Sequence, residues 1–187
     1  MIRIVILASG SGTNAENIIK YFNSSNLISV QVLSNKKDAK VLERANRLKV
    51  SSMCFNRDEF INSDIVLELL KEKADYIILA GFLWKIPSNI IEAFPNKIIN
   101  IHPALLPKYG GKGMYGMHVH EAVVENNEKE SGITIHYVNE NYDEGAIIFQ
   151  KSFKVLATDT AEDVANKVHK LEYKYFPEII EKALLDQ

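Results

Sequence analysis

Hydrophobic positions along this chain fall into short unbroken runs separated by stretches of helical period. Arg3-Ile4-Val5-Ile6-Leu7-Ala8, Asp75-Tyr76-Ile77-Ile78-Leu79-Ala80 and Lys97-Ile98-Ile99-Asn100-Ile101 are runs of strand length with no apolar–polar alternation. They predict central strands buried on both faces. Residues 28–33 predict another strand, and 51–55 a short one. Helical spacing predicts elements over 15–22, 39–48 and 57–73. In the last of these Phe60, Ile61, Ile65, Leu67, Leu69 and Leu70 fall roughly on one side. Pro87 suits the first turn of a helix reaching about Phe94. Residues 132–138 alternate as a strand does, and a long strand follows over 145–155. The short link between these two favours antiparallel pairing. Asp159 or Thr160 caps a final helix that Pro177 is expected to kink or restart. The order predicts an α/β fold: a Rossmann-like, doubly wound, mostly parallel sheet with an antiparallel C-terminal strand, in three layers.

Composition narrows the picture modestly. With 187 residues and 47% hydrophobic content, the chain is expected to form one domain, 1–187, with a sizeable core. A net charge of −2 argues against a dedicated nucleic-acid binder. The one cysteine, Cys54, permits no internal disulfide and reads as a small buried hydrophobe. No apolar run is long enough to span a bilayer, and the N-terminus lacks a secretory pattern, so the expected location is cytoplasmic.

The chemistry concentrates in two places. Asn100 and His102 point to one side of a strand that Pro103 must end. An amide and an imidazole therefore meet at the carboxyl end of a strand, the edge where open α/β sheets bind ligands. Asn can donate to a developing oxyanion, and His can donate or move a proton. Asp143 is the candidate carboxylate for the imidazole, expected to raise its pKa. An Asn-x-His pair at a strand end is by itself more often structural, and a lone Asp in a polar loop is usually solvated. Ser9-Gly10-Ser11-Gly12-Thr13 lies between a strand and a helix, with Asn14 as candidate N-cap. Backbone N–H groups and a helix N-terminus there suit phosphate, although a plain tight turn has the same composition. His118 and His120 have metal-pair spacing but no accompanying ligands, so entry into a helix is the preferred reading, with His118 near the substrate and no metal expected. A loop as long as 103–116 inside a compact domain is usually functional or mobile.

Asn100-Ile101-His102-Pro103-Ala104-Leu105-Leu106-Pro107-Lys108-Tyr109, followed by Asp143-Glu144-Gly145 seven residues after His136, resembles the folate-dependent formyltransferases. The loop Ala8-Ser9-Gly10-Ser11-Gly12-Thr13-Asn14 resembles that of the branch acting on glycinamide ribonucleotide, and the similarity runs from Ile2 to the last helix. The resemblance implies formyl transfer from 10-formyltetrahydrofolate, a cosubstrate, to the amine of glycinamide ribonucleotide, with no other cofactor and a monomeric or homodimeric enzyme. It implies that the N-terminal half binds the ribonucleotide, with Gly12, Thr13 and Asn14 on its phosphate, while the C-terminal half binds folate and carries the catalysis. Glu172 and His169 would lie at the amine end of the substrate. Arg57, Leu83, Trp84, Lys85, Ile86, Asn100, Asn139, Glu140, Asn141, Tyr142 and Asp143 would line the folate. Asn100, His102 and Asp143 would be catalytic, with His136 behind them and a cis bond at Leu106–Pro107. Trp84-Lys85 replaces the family's expected Met-Arg or similar pair, and Glu144 replaces a small residue. Related readings are a deformylase, which would be expected to carry an extra N-terminal domain, and a formyltransferase for another amine, whose tRNA-specific form would be expected to carry a C-terminal one. A binding module using only the glycine loop is the non-catalytic alternative.

Overall fold

The computed structural model describes residues 1–185. Two compact units make up the chain, the first over Met1–Ile99 and the second starting at Asn100. The strands form one seven-stranded sheet in the order β3-β2-β1-β4-β5-β6-β7.

In the first unit, β1 (Ile2–Ala8) lies between β2 (Ile28–Ser34) and β4 (Tyr76–Leu79), and β3 (Ser52–Cys54) flanks β2, every pair parallel. The unalternating apolar runs are explained by burial on both faces: Ile4 to Ala8, Ile77 and Ile78 expose 1% or less. Each such aliphatic side chain contributes about 1.5–3 kcal/mol by leaving water. Helix α1 covers Thr13–Phe22, α2 Lys40–Arg47 and α5 Ser88–Ala93. The expected long helix over 57–73 is two helices, α3 (Arg57–Ile61) and α4 (Ile65–Lys73). The break falls at Asn62-Ser63-Asp64, whose short polar side chains compete for backbone and local partners. Asn62 Nδ2 donates to Asp58, and Ser63 Oγ donates to the Glu59 carbonyl. Asn14 is not the cap of α1: the helix starts two residues earlier, at Thr13 behind Gly12, whose φ of 72° is left-handed. Pro87 likewise precedes α5 as its N-cap rather than opening its first turn. Cys54 is only half-buried, at the end of the shortest strand, where one neighbouring strand cannot cover it.

The strand β5 (Ile98–His102) closes the first unit and opens the second. It leads through a long connection to α6 (Met117–Glu125), then β6 (Glu130–Tyr137), β7 (Ile147–Lys154) and α7 (Ala161–Leu185). β6 and β7 pair antiparallel, with a register irregularity between Ile135 and His136. Thr160 rather than Asp159 caps α7, its Oγ1 accepting from Asp163 N–H at 3.2 Å. Pro177 does not end this helix. The turn it weakens is held by packing, because Phe176, Pro177, Ile180 and Leu184 are all buried. Among the described residues no helix is long and apolar enough to cross a membrane.

Candidate active site

Period-two geometry places Asn100 and His102 on one side of β5, as the sequence predicts. His102 exposes only 4% of its surface, and its Nε2–H donates to the Tyr109 carbonyl at 2.7 Å. The long loop thus folds back over the strand end. Its Leu106–Pro107 bond is cis, as the resemblance implies. Thr134 Oγ1 accepts from Leu106 N–H and donates to the Ala104 carbonyl, while Gln150 Nε2 donates to both Leu106 O and Thr134 Oγ1. These four bonds fix the backbone directly after His102.

Asn100 Nδ2 donates to His136 Nε2 at 3.1 Å, and His136 Nδ1–H donates to the Tyr137 carbonyl at 2.8 Å. The chain of bonds assigns both uncertain groups. With its proton on Nδ1, His136 accepts at Nε2, so the Asn100 amide nitrogen must face it. One Asn100 amide hydrogen is then committed and the other is left to donate elsewhere.

Asp143 enters from the β6–β7 link with a left-handed φ of 57°. One carboxylate oxygen stands 3.6 Å from His102 Nδ1 and the other 3.6 Å from His136 Nε2. Both distances are longer than a hydrogen bond. The direct bond made by Asp143 is from the Gly111 N–H, at 2.8 Å. Burial would raise the Asp143 carboxyl, but contact with His136, the His102 imidazole and the Gly111 N–H together hold it below the ordinary carboxylate range. Asp143 raises the His102 pKa, as the sequence leads one to expect, yet the net shift is downward. Burial, with His136 adding to it, outweighs Asp143, the Tyr109 carbonyl and Glu172, which all raise it. In the unliganded protein a carboxylate therefore faces an imidazole that holds its proton weakly.

Glu172 and His169 lie one turn apart on α7, joined at 2.9 Å. His169 is exposed, whereas Glu172 is only 5% exposed. Its carboxylate raises His169 through their bond. His118 is exposed beside Glu121, at 3.5 Å, whereas His120 is 3% exposed with no partner for Nδ1 among the described residues. Asn139, Glu140, Asn141 and Tyr142 form an exposed turn before Asp143. Within it Asn141 N–H donates to Asn139 Oδ1, and Asn141 Nδ2 donates to Glu144. Glu144 thus ties the turn at a position where a small residue was expected.

In the first unit, Gly12, Thr13 and Asn14 form the start of α1. Arg57 is exposed, with its guanidinium 5.6 Å from the centre of the Trp84 ring. Trp84 is half-buried and joins Phe55, Phe60 and Phe82 in one aromatic cluster with centroids 5.0–6.3 Å apart. Leu83 and Lys85 are exposed and Ile86 is buried. Leu83 N–H donates to Ser9 Oγ, which ties this loop to the glycine loop. Sequence reasoning missed Thr134, Gln150, Gly111 and the Tyr109 carbonyl. Two of these act through the backbone, which carries no side-chain signature.

A family profile described as "Formyl transferase" matches residues 2–180. A phosphoribosylglycinamide formyltransferase of Bacillus subtilis is 34% identical over 98% of this chain and 95% of its own. A chloroplastic phosphoribosylglycinamide formyltransferase of Arabidopsis thaliana is 38% identical over 95% of this chain, which spans 64% of that relative's length. The crystal structure of glycinamide ribonucleotide transformylase 1 from Symbiobacterium toebii superposes with a TM-score of 0.87 at 34% identity, covering 96% of this chain and 86% of its own.

Proposed function

This chain belongs to the formyl transferase family, and on that premise we propose that it transfers a formyl group from 10-formyltetrahydrofolate to the amine of glycinamide ribonucleotide in purine biosynthesis. The relatives' names support both the acceptor and the reaction. The observation that carries the chemistry is the grouping of Asn100, His102, His136 and Asp143 at the end of β5. The whole chain acts as one formyltransferase domain, in the cytoplasm, as a monomer or homodimer without a nucleic-acid partner.

The primary amine attacks the formyl carbon, and the carbonyl π electrons move onto oxygen. The uncommitted amide hydrogen of Asn100 donates to that oxyanion. Burial lowers the proton affinity of His102 beforehand, and negative charge developing beside it raises that affinity again. The proton lost by the amine passes to His102, and Asp143, already ionised, is the counter-ion of the imidazolium so formed before that proton goes on to the folate nitrogen. Collapse of the adduct re-forms the carbonyl and breaks the bond to the folate nitrogen, which takes a proton while the amine loses one. Gly12, Thr13 and Asn14 take the ribonucleotide phosphate, and Glu172 with His169 holds the amine end. Arg57, the 83–86 loop and the 139–142 turn take the folate.

The test is an absorbance assay with purified protein and 10-formyltetrahydrofolate, with and without glycinamide ribonucleotide. Turnover only with the ribonucleotide is expected. Folate cleavage without acceptor would replace the reading with a hydrolase.

A further inference from the structure

The glycine loop is held from behind by three hydrogen bonds in a row. The Gly10 carbonyl accepts from Val41 N–H at 3.2 Å and the Gly12 carbonyl from Glu16 N–H at 2.8 Å. Between them, the Ser11 carbonyl accepts from Arg44 Nε–H at 2.7 Å. In a trans peptide the N–H points opposite to the C=O. Fixing these three oxygens therefore aims the N–H groups of Ser11, Gly12 and Thr13 away from their partners, as successive donors. Helix α2 also sets how close the loop lies: a Cβ on Gly12 would meet Val41 Cβ at 2.4 Å.

Arg44 does more than occupy Ser11. Its other arm binds Glu16 on α1. Lys20 and Arg47 reach the same carboxylate, at 2.7 and 3.0 Å. Glu16 is 8% exposed, so it anchors the guanidinium rather than sitting in solvent. Hydrogen bonding from Lys20 and then Arg44 pulls its pKa down to about 2. One buried carboxylate in the first turn of α1 thus gathers three cations.

We propose that Arg44 is a positioning residue for anion recognition: it touches no ligand, but sets the Ser11–Gly12 peptide plane and so aims the donors of the loop. This rests on reading the loop as the phosphate site. The planar fork suits this because its Nε–H and Nη1–H leave in fixed directions toward the Ser11 carbonyl and Glu16, whereas an ammonium is a compact charge without that fixed geometry.

Ribose 5-phosphate is the probe, titrated into ¹⁵N-labelled protein while the Ser11, Gly12 and Thr13 amides are followed. The wild type is expected to shift all three. Arg44→Met is expected to weaken binding by about tenfold or more, as loss of a hydrogen bond to a fixed group does. Arg44→Lys is expected to recover only part of that loss, and Glu16→Gln to weaken binding in the same direction. In the transfer assay Arg44→Lys should raise KM for glycinamide ribonucleotide while leaving kcat and the folate KM within about twofold. Unchanged ribose 5-phosphate affinity in Arg44→Met, full rescue by lysine, or a wild-type loop that ignores the probe would each overturn the proposal. Probe affinity that depends on Arg44 in a protein that transfers no formyl group would support it and remove the formyl-transfer reading instead.

Discussion

At the scale of single residues, the site depends on neighbours that change what each side chain does. His102 is pushed toward neutrality by burial and pulled back by Asp143. Asp143→Asn removes the pull, so the His102 titration followed by NMR should move further down; an upward shift would reverse the assigned balance. The same variant, and His102→Ala, should lose roughly 100- to 1,000-fold in turnover, the usual cost of one oxyanion-stabilising group. Near-full turnover in either would remove its role. That Asn100 and His102 share one side of β5 was legible from strand period, whereas the place of Asp143 beside them came chiefly from the family resemblance. The direction of the His102 shift was not legible, because it depends on burial, which no local pattern of letters gives. Gly145 was legible only as part of a motif. The structure supplies its reason: a Cβ there would lie 1.7 Å from the Tyr137 carbonyl. Gly145→Ala must therefore move the backbone that carries Asp143, and it should lower both melting temperature and turnover. An alanine variant with wild-type melting and activity would contradict that packing.

Among the elements, the buried strands were readable from their unalternating runs, and the antiparallel β6–β7 pair from its short link. Helix ends were less so. The 57–73 stretch has a continuous apolar side, and nothing in its period marks the break at Asn62-Ser63-Asp64. What fixes the start of α3 is a capping box: Asn56 Oδ1 accepts from Glu59 N–H at 3.0 Å, and Glu59 accepts from Asn56 N–H at 2.8 Å. Asn56→Ala should cost about 1 kcal/mol in a denaturation measurement. A loss below a few tenths would mean that packing of Phe60, not the cap, holds this helix. Pro177 shows the opposite case, a breaker overridden by the burial of its own turn.

For the molecule as a whole, stability should respond to acid through its paired carboxylates. Glu16, Asp75, Asp143 and Asp159 are all held below their ordinary values. A carboxyl depressed in the folded state stabilises it above the unfolded pKa, and that contribution is lost as pH falls through the folded one. For Glu16 the window runs from 4.5 down to about 2. The urea midpoint should therefore fall steeply in that range, and less steeply in Glu16→Gln. Equal slopes in the two proteins would place the acid sensitivity elsewhere. The chain has one tryptophan, Trp84, and it sits under Arg57 in the loop proposed for folate. Indole emission from this protein is therefore an optical report from a single place. A folate analogue should quench it and move its colour, whereas ribose 5-phosphate at the glycine loop should leave its spectrum in place. The protein thus carries its own dye at the site proposed for folate, and rapid-mixing fluorescence can time the arrival of a ligand there without any label.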